Sequence, residues 1–216
     1  SLAEATEPVI SALLPRGGQA GSTQEIVITG QRLTGTEEIF FYTDGISAKD
    51  IIVEKVNKLT ASFIIAKETK LGQHELRLRT KQGISRLYTF WVGPFPNVNE
   101  KEPNSSFEEA QLIPMNVTVN GVAQNEDVDY YEINATEGQR ISAEIEAIRL
   151  SGPLFDPYVA ILDENRFEIA TSDDSELLLQ DSTTSVIAPK TGKYYIEVRE
   201  SSYRGSNSFR YRAHIG

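Results

Sequence analysis

The sequence predicts an all-β protein of two β-sandwich domains in tandem. Three observations carry that expectation. Short runs rich in Val, Ile, Phe, Tyr and Thr recur along the 216 residues, with Gly, Asp, Asn and Pro between them as hairpin punctuation. Several runs alternate apolar and polar residues with period two, and none shows a comparable helical stripe. Near the middle, Pro94, Pro96 and Pro103 punctuate an acidic stretch that neither helix nor sheet interior accepts readily. The expected division is therefore a first domain over 1–93, a linker over 94–106 and a second domain over 107–216.

In the first domain, strands are expected at 9–14, 25–29, 38–42, 51–56, 61–65, 74–80 and 85–92. Gly17 and Gly18, Gly30, Asp44 and Gly45, Gly72 and Gly83 supply the reversals between them. Leu76 and Leu78 alternate with Glu75, Arg77 and Arg79, which is the pattern of a sheet with one wet face. In the second domain, Ile141, Ala143, Ile145 and Ala147 alternate with Ser142, Glu144 and Glu146. Tyr194, Ile196 and Val198 do the same against Tyr195, Glu197 and Arg199, as do Tyr211, Ala213 and Ile215 against Arg210, Arg212 and His214. These last two strands are expected in one sheet. A hairpin is expected around 163–166, whereas 107–112 reads equally as a helical turn or a strand.

Composition narrows the function. A net charge of −10 disfavours nucleic acid, because phosphate binding needs clustered Lys and Arg. No apolar run approaches the roughly 20 residues that span a bilayer, so no membrane insertion is expected from this segment. There is no cysteine, which removes thiolate metal sites and a cysteine nucleophile. Only two histidines exist, His74 and His214, one in each domain, so a Ser-His-Asp triad is not expected and the chain is read as non-enzymatic. Asp173, Asp174 and Glu176 form the densest carboxylate cluster, but neighbouring residues point apart and fit glycoside cleavage poorly.

Two groups of residues carry binding chemistry. Glu100, Glu102 and Asn104 alternate, so an extended backbone places three oxygen-bearing side chains on one side, as a hard cation prefers. A solvated acidic linker would show the same residues. Tyr195, Tyr203 and the outward Arg199, Arg210 and Arg212 are expected to share one exposed face, mixing aromatic and guanidinium groups of the kind enriched at binding hot spots. Ordinary cross-strand packing of Tyr on Arg stems would also account for them.

Two family resemblances add to this reading. The run 8–11, the run 21–30, Leu71 with Gly72, and Phe90-Trp91-Val92 resemble the TIG/IPT family of immunoglobulin-like domains, which usually act as spacers or adhesion modules. Glu100 to Ser106, Gly121, the run 127–131, Gly138 with Gln139, Phe155-Asp156-Pro157, Asp173 with Asp174, and Gly192 to Tyr195 together resemble the bacterial pre-peptidase C-terminal domain. With Tyr203, Arg204 and Gly205, the tandem is also similar to segments of exported or surface proteins of planctomycete-type bacteria.

The first resemblance implies an immunoglobulin-like β-sandwich, and the second a jelly-roll-like β-sandwich, appended to exported bacterial proteins, that targets or binds without catalysing. It further implies a calcium ion held by Glu100, Glu102, Asn104, Asp127 and Asp129. Ser105 departs from relatives that carry Asn or Asp there. The function expected is a secreted or cell-surface binding, adhesion or substrate-targeting module of a larger protein, possessing other domains and facing an extracellular protein or polysaccharide. The alternative is a pair of accessory domains of a secreted hydrolase whose catalytic domain lies outside this chain.

Overall fold

The computed structural model describes residues 7–150, 152–178 and 180–216. It is nearly all β, and it divides into two compact units, Ser1–Pro94 and Phe95–Gly216, each built of two facing sheets.

The first unit contains β1 (Val9–Leu14), β2 (Gly17–Gln19), β3 (Thr23–Gln31), β4 (Thr36–Phe41), β5 (Ile46–Lys55), β6 (Lys58–Ile65), β7 (Gly72–Thr80), β8 (Gly83–Ile84) and β9 (Tyr88–Gly93). One sheet has the order β1-β3-β6-β5 and the other β2-β9-β7-β4, with β8 on β7. Leu13, Ile26, Ile28, Leu59, Leu76 and Leu78 fill the space between them around Phe63, whose ring meets that of Phe90 edge-on at 5.2 Å. Three glycines depart from their expected turn role. Gly30 lies within β3 opposite Ile10, where a Cβ would stand 1.8 Å from the Val9 carbonyl oxygen, so its bareness admits the neighbouring backbone. Gly17 and Gly18 belong to β2, which pairs in parallel with β9.

The second unit contains β10 (Asn97–Asn99), β11 (Gln111–Leu112), β12 (Val117–Val122), β13 (Val128–Ala135), β14 (Arg140–Glu146), β15 (Pro157–Asp163), β16 (Glu168–Ser172), β17 (Thr183–Ile187), β18 (Gly192–Glu200) and β19 (Arg210–Ile215). Its sheets have the orders β10-β12-β19-β14-β17 and β11-β13-β18-β15-β16. Tyr131, Ile133, Ile141, Ile145, Val159, Ile161, Ile196 and Val198 are fully buried between them. Buried Asp181 ties down the chain after β14. Its carboxylate accepts from the backbone N–H groups of Ala147 (3.1 Å), Ile148 (2.7 Å) and Arg149 (3.3 Å), and from Arg149 Nε at 2.7 Å.

Two expectations are corrected here. From Phe95 onward the stretch foreseen as a linker belongs to the second unit, where β10 adds to β12 as a parallel strand. The strands β18 and β19 lie in opposite sheets, not one, since each carries an apolar face that needs a partner across the core. The ambiguous run 107–112 resolves into a turn followed by β11.

Candidate functional site

Local structure first brings the oxygen-bearing side chains together at one end of the second unit. Glu100 follows β10, and its N–H donates to the Asn120 carbonyl at 3.1 Å, which aims its side chain at the start of the core. Its Oε2 accepts from the Val122 N–H at 2.9 Å, while Oε1 accepts from the Tyr131 and Tyr211 hydroxyls at 3.0 and 3.2 Å. Four residues on, buried Asn104 is pinned as its carbonyl accepts from the Tyr130 N–H at 2.9 Å and its N–H donates to Glu102 Oε2 at 3.1 Å. Asp127 precedes β13 and accepts from Ser105 Oγ at 3.0 Å and from the Gln124 N–H at 3.1 Å. Asp129, inside β13, is 1% exposed and accepts from the Tyr211 hydroxyl at 2.6 Å.

One carboxylate oxygen from each of Glu102, Asp127 and Asp129 lies within 4.8 Å of the others. Among the described residues no Lys or Arg pairs with these three or with Glu100. Burial, and then the neighbouring Glu100, pushes the Asp129 carboxyl up to about 9. Burial followed by the Asp127 and Glu100 charges raises Glu102 as well. The crowding of these acids therefore favours a proton on Asp129, or a cation in its place.

The donor set fits a hard divalent ion such as calcium. It consists of oxygen throughout, with three carboxylates close enough to share a centre. Asn104 sharpens that fit. The terminal amide atom facing the carboxylates stands 2.8 Å from Glu102 Oε2 and 3.2 Å from Asp129 Oδ1. As NH2 it donates to both; as the carbonyl oxygen it becomes a further acceptor among acceptors, an arrangement that a cation completes.

The second group of expected residues separates. Tyr195 and Arg199 face outward from β18, and Tyr203 follows it, but Arg210 and Arg212 belong to β19 in the opposite sheet. The five residues therefore do not share a face. Arg210 is exposed, whereas Arg212 is 1% exposed and donates from Nη1 to Glu146 Oε2 at 2.7 Å, making it a buried ionic strut. Alternation along β19 had placed Arg212 on the outer side of its sheet, and that side is covered at this point.

The outer face of β13, β18 and β15 carries residues that the linear pattern did not join. Pairing sets Tyr130 beside Glu197 and Tyr158 beside Arg199. The Arg199 guanidinium lies 3.9 Å from the centroid of the Tyr158 ring and 4.5 Å from that of Tyr203. Phe107 stacks at 4.4 Å on Tyr130 and meets Tyr195 edge-on at 5.0 Å. Glu197, nearly buried, is raised by burial and accepts from Arg199 Nε at 3.1 Å. The period-two alternation along β13 was the available signal for Tyr130, whereas β15 is apolar throughout 158–162 and offered none for Tyr158.

Both histidines are engaged structurally. Buried His74 lies between Thr43 Oγ1 (2.5 Å from Nδ1) and the Lys70 carbonyl (2.6 Å from Nε2). His214 Nδ1 is 2.8 Å from Thr118 Oγ1, and Nε2 is 3.1 Å from Glu146 Oε2. Asp173 accepts from Ser201 Oγ, which ties that carboxylate into a turn.

Fold and site thus define a tandem β-sandwich chain with an acidic, oxygen-lined cluster in its second unit. Residues 127–200, within the second unit, match the model of the bacterial pre-peptidase C-terminal domain. Comparison with curated proteins finds no match. Similar solved structures include the pre-peptidase C-terminal domain of a Bacillus anthracis collagenase, with 19% identity, 54% of this chain and 100% of that chain covered, and a TM-score of 0.38. SGBP-B of a Bacteroides ovatus mixed-linkage glucan utilization locus, in complex with a mixed-linkage heptasaccharide, is 10% identical over 90% of this chain and 75% of its own, with a TM-score of 0.34. SGBP-B of a Bacteroides uniformis xyloglucan utilization locus is 11% identical over 96% and 71%, with a TM-score of 0.33. No helix among the described residues is long and apolar enough to cross a membrane.

Proposed function

We propose that this chain is a non-catalytic binding or substrate-targeting module of a larger exported or cell-surface bacterial protein. Its partner is an extracellular protein or polysaccharide. The observation that carries this reading is the outer face of β13, β18 and β15, where Tyr158 and Tyr203 flank the Arg199 guanidinium held in place by Glu197, and Tyr130 and Tyr195 pack on Phe107. Aromatic and Arg side chains of this kind dominate the energy of recognition surfaces. The engagement of both histidines supports a role without turnover. The first unit, on its sequence resemblance, serves as a TIG/IPT-type spacer.

Glu100, Glu102, Asn104, Asp127 and Asp129 would hold calcium in the second unit. The ion would neutralise the carboxylates and fasten the segment after β10 to the start of β13. The family of residues 127–200 favours a second reading, in which the pair positions a secreted hydrolase whose catalytic domain lies outside this chain. The test is co-sedimentation of the chain with insoluble polysaccharides and gelatin, beside peptidase, esterase and glycosidase assays. Retention on at least one polymer without turnover is expected. Turnover abolished by changing Asp173 or Asp174, or no retention on any polymer, would overturn the reading.

A further inference from the structure

Two features of the outer face single out one place on it. The first is the bonding of Arg199. Its Nε donates to Glu197 Oε1 at 3.1 Å, and Nη1 reaches the carbonyls of Ser201 at 3.1 Å and Glu200 at 3.4 Å. Its Nη2 has no hydrogen-bond partner among the described residues and is open to solvent. With the side chain only 14% exposed and rings on both sides, a fixed pair of N–H donors points outward at no further ordering cost.

The second feature is Tyr203. It holds φ at 59°, a left-handed conformation that bulky residues rarely adopt. The backbone is pinned there, as its N–H donates to the Glu200 carbonyl at 3.0 Å and its own carbonyl accepts from the Glu126 N–H at 2.9 Å. Glycine would satisfy this conformation with less strain. A tyrosine there, 48% exposed and lying over Arg199, presents a flat ring beside the unpartnered donors.

We infer that Arg199, Tyr158 and Tyr203 form a subsite for a neutral polysaccharide. The Nη2 donors take ring hydroxyl oxygens, and the Tyr203 ring lies under the C–H face of a sugar. The charge around the site chooses this class. Glu197 neutralises Arg199, Glu168 accepts from the Tyr158 hydroxyl at 3.1 Å, and Asp173 sits on Ser201, so an anionic polymer meets repulsion. A polymer rich in hydroxyls and free of charge has what the site can satisfy.

This inference rests on reading the face as a binding surface, and its test separates the two. Affinity electrophoresis of the full chain would use hydroxyethylcellulose, mixed-linkage glucan, xyloglucan and mannan, with polygalacturonate and gelatin as the anionic and peptide arms. Retardation by a neutral glycan is expected, weakened at least about tenfold by Arg199→Lys, which keeps the charge and loses the fork, and by Tyr203→Gly. Tyr203→Gly also relieves the backbone, so its melting temperature should stay close to that of the parent and separate loss of binding from loss of fold. Retardation by a neutral glycan that neither variant weakens overturns the subsite and leaves the binding module standing. Retardation only by polygalacturonate or gelatin overturns the ligand class. No retardation by any polymer overturns both readings.

Discussion

The ring of Tyr211 occupies the space that a side chain at position 121 would need: a Cβ built on Gly121 would stand 2.2 Å from Tyr211 Cζ. The two residues are paired across β12 and β19, and the closeness lets the Tyr211 hydroxyl reach Asp129 at 2.6 Å and Tyr131 at 2.5 Å. Gly121→Ala should therefore push the ring out of this network. The overpacking should cost about 1–3 kcal/mol, read as a lower denaturant midpoint at unchanged slope. An unchanged midpoint would mean that the ring has room to move.

Calcium should raise the melting temperature of the chain. An ion bound only by the folded state at roughly 100 times its Kd adds about 2.7 kcal/mol, a shift of order 10 °C for a unit of this size. Magnesium should do less, because it demands a tighter octahedron and gives up water reluctantly. Melting curves in calcium, magnesium and chelator, with Asp127→Asn and Glu102→Gln alongside, check this. Identical curves in calcium and chelator would reduce the cluster to a hydrogen-bonded acidic turn.

In chelator, stability should fall as pH rises from the ordinary carboxylate range towards about 9. Asp129 sits above its unfolded value, so in that window the folded chain holds a proton that the unfolded chain has released. The unfolded state then binds fewer protons, and the slope of stability against pH is negative. Asp129→Asn should flatten the slope and melt higher than the parent in chelator at neutral pH. A flat profile for the parent would contradict the burial of a charge at this position.

Arg212→Ala should unfold the second unit more easily without touching ligand affinity. Removing one partner of a buried ion pair costs about 3–5 kcal/mol, since Glu146 is left beside His214 with its main counter-charge gone. The exposed Arg210→Ala should stay within about 0.5 kcal/mol. Paired denaturation and polymer-binding curves distinguish this from a role for Arg212 in recognition.

What the sequence determined by itself was local. Period-two alternation marked the inner and outer residues of β14, β18 and β19, because successive side chains of any strand point to opposite sides. The same rule, applied to an extended backbone, put Glu100, Glu102 and Asn104 in phase, but they lie outside any strand after β10, and the distances among Glu102, Asp127 and Asp129 follow from where the chain returns at the start of β13. Alternation is silent about which sheet a strand joins. Only tertiary pairing decided that β18 and β19 face each other across the core, which split the expected Tyr and Arg surface and buried Arg212. Pairing between strands distant in sequence also set Tyr158 beside Arg199 and the bare Gly30 against Val9, since such contacts depend on register between chain segments that no local pattern encodes.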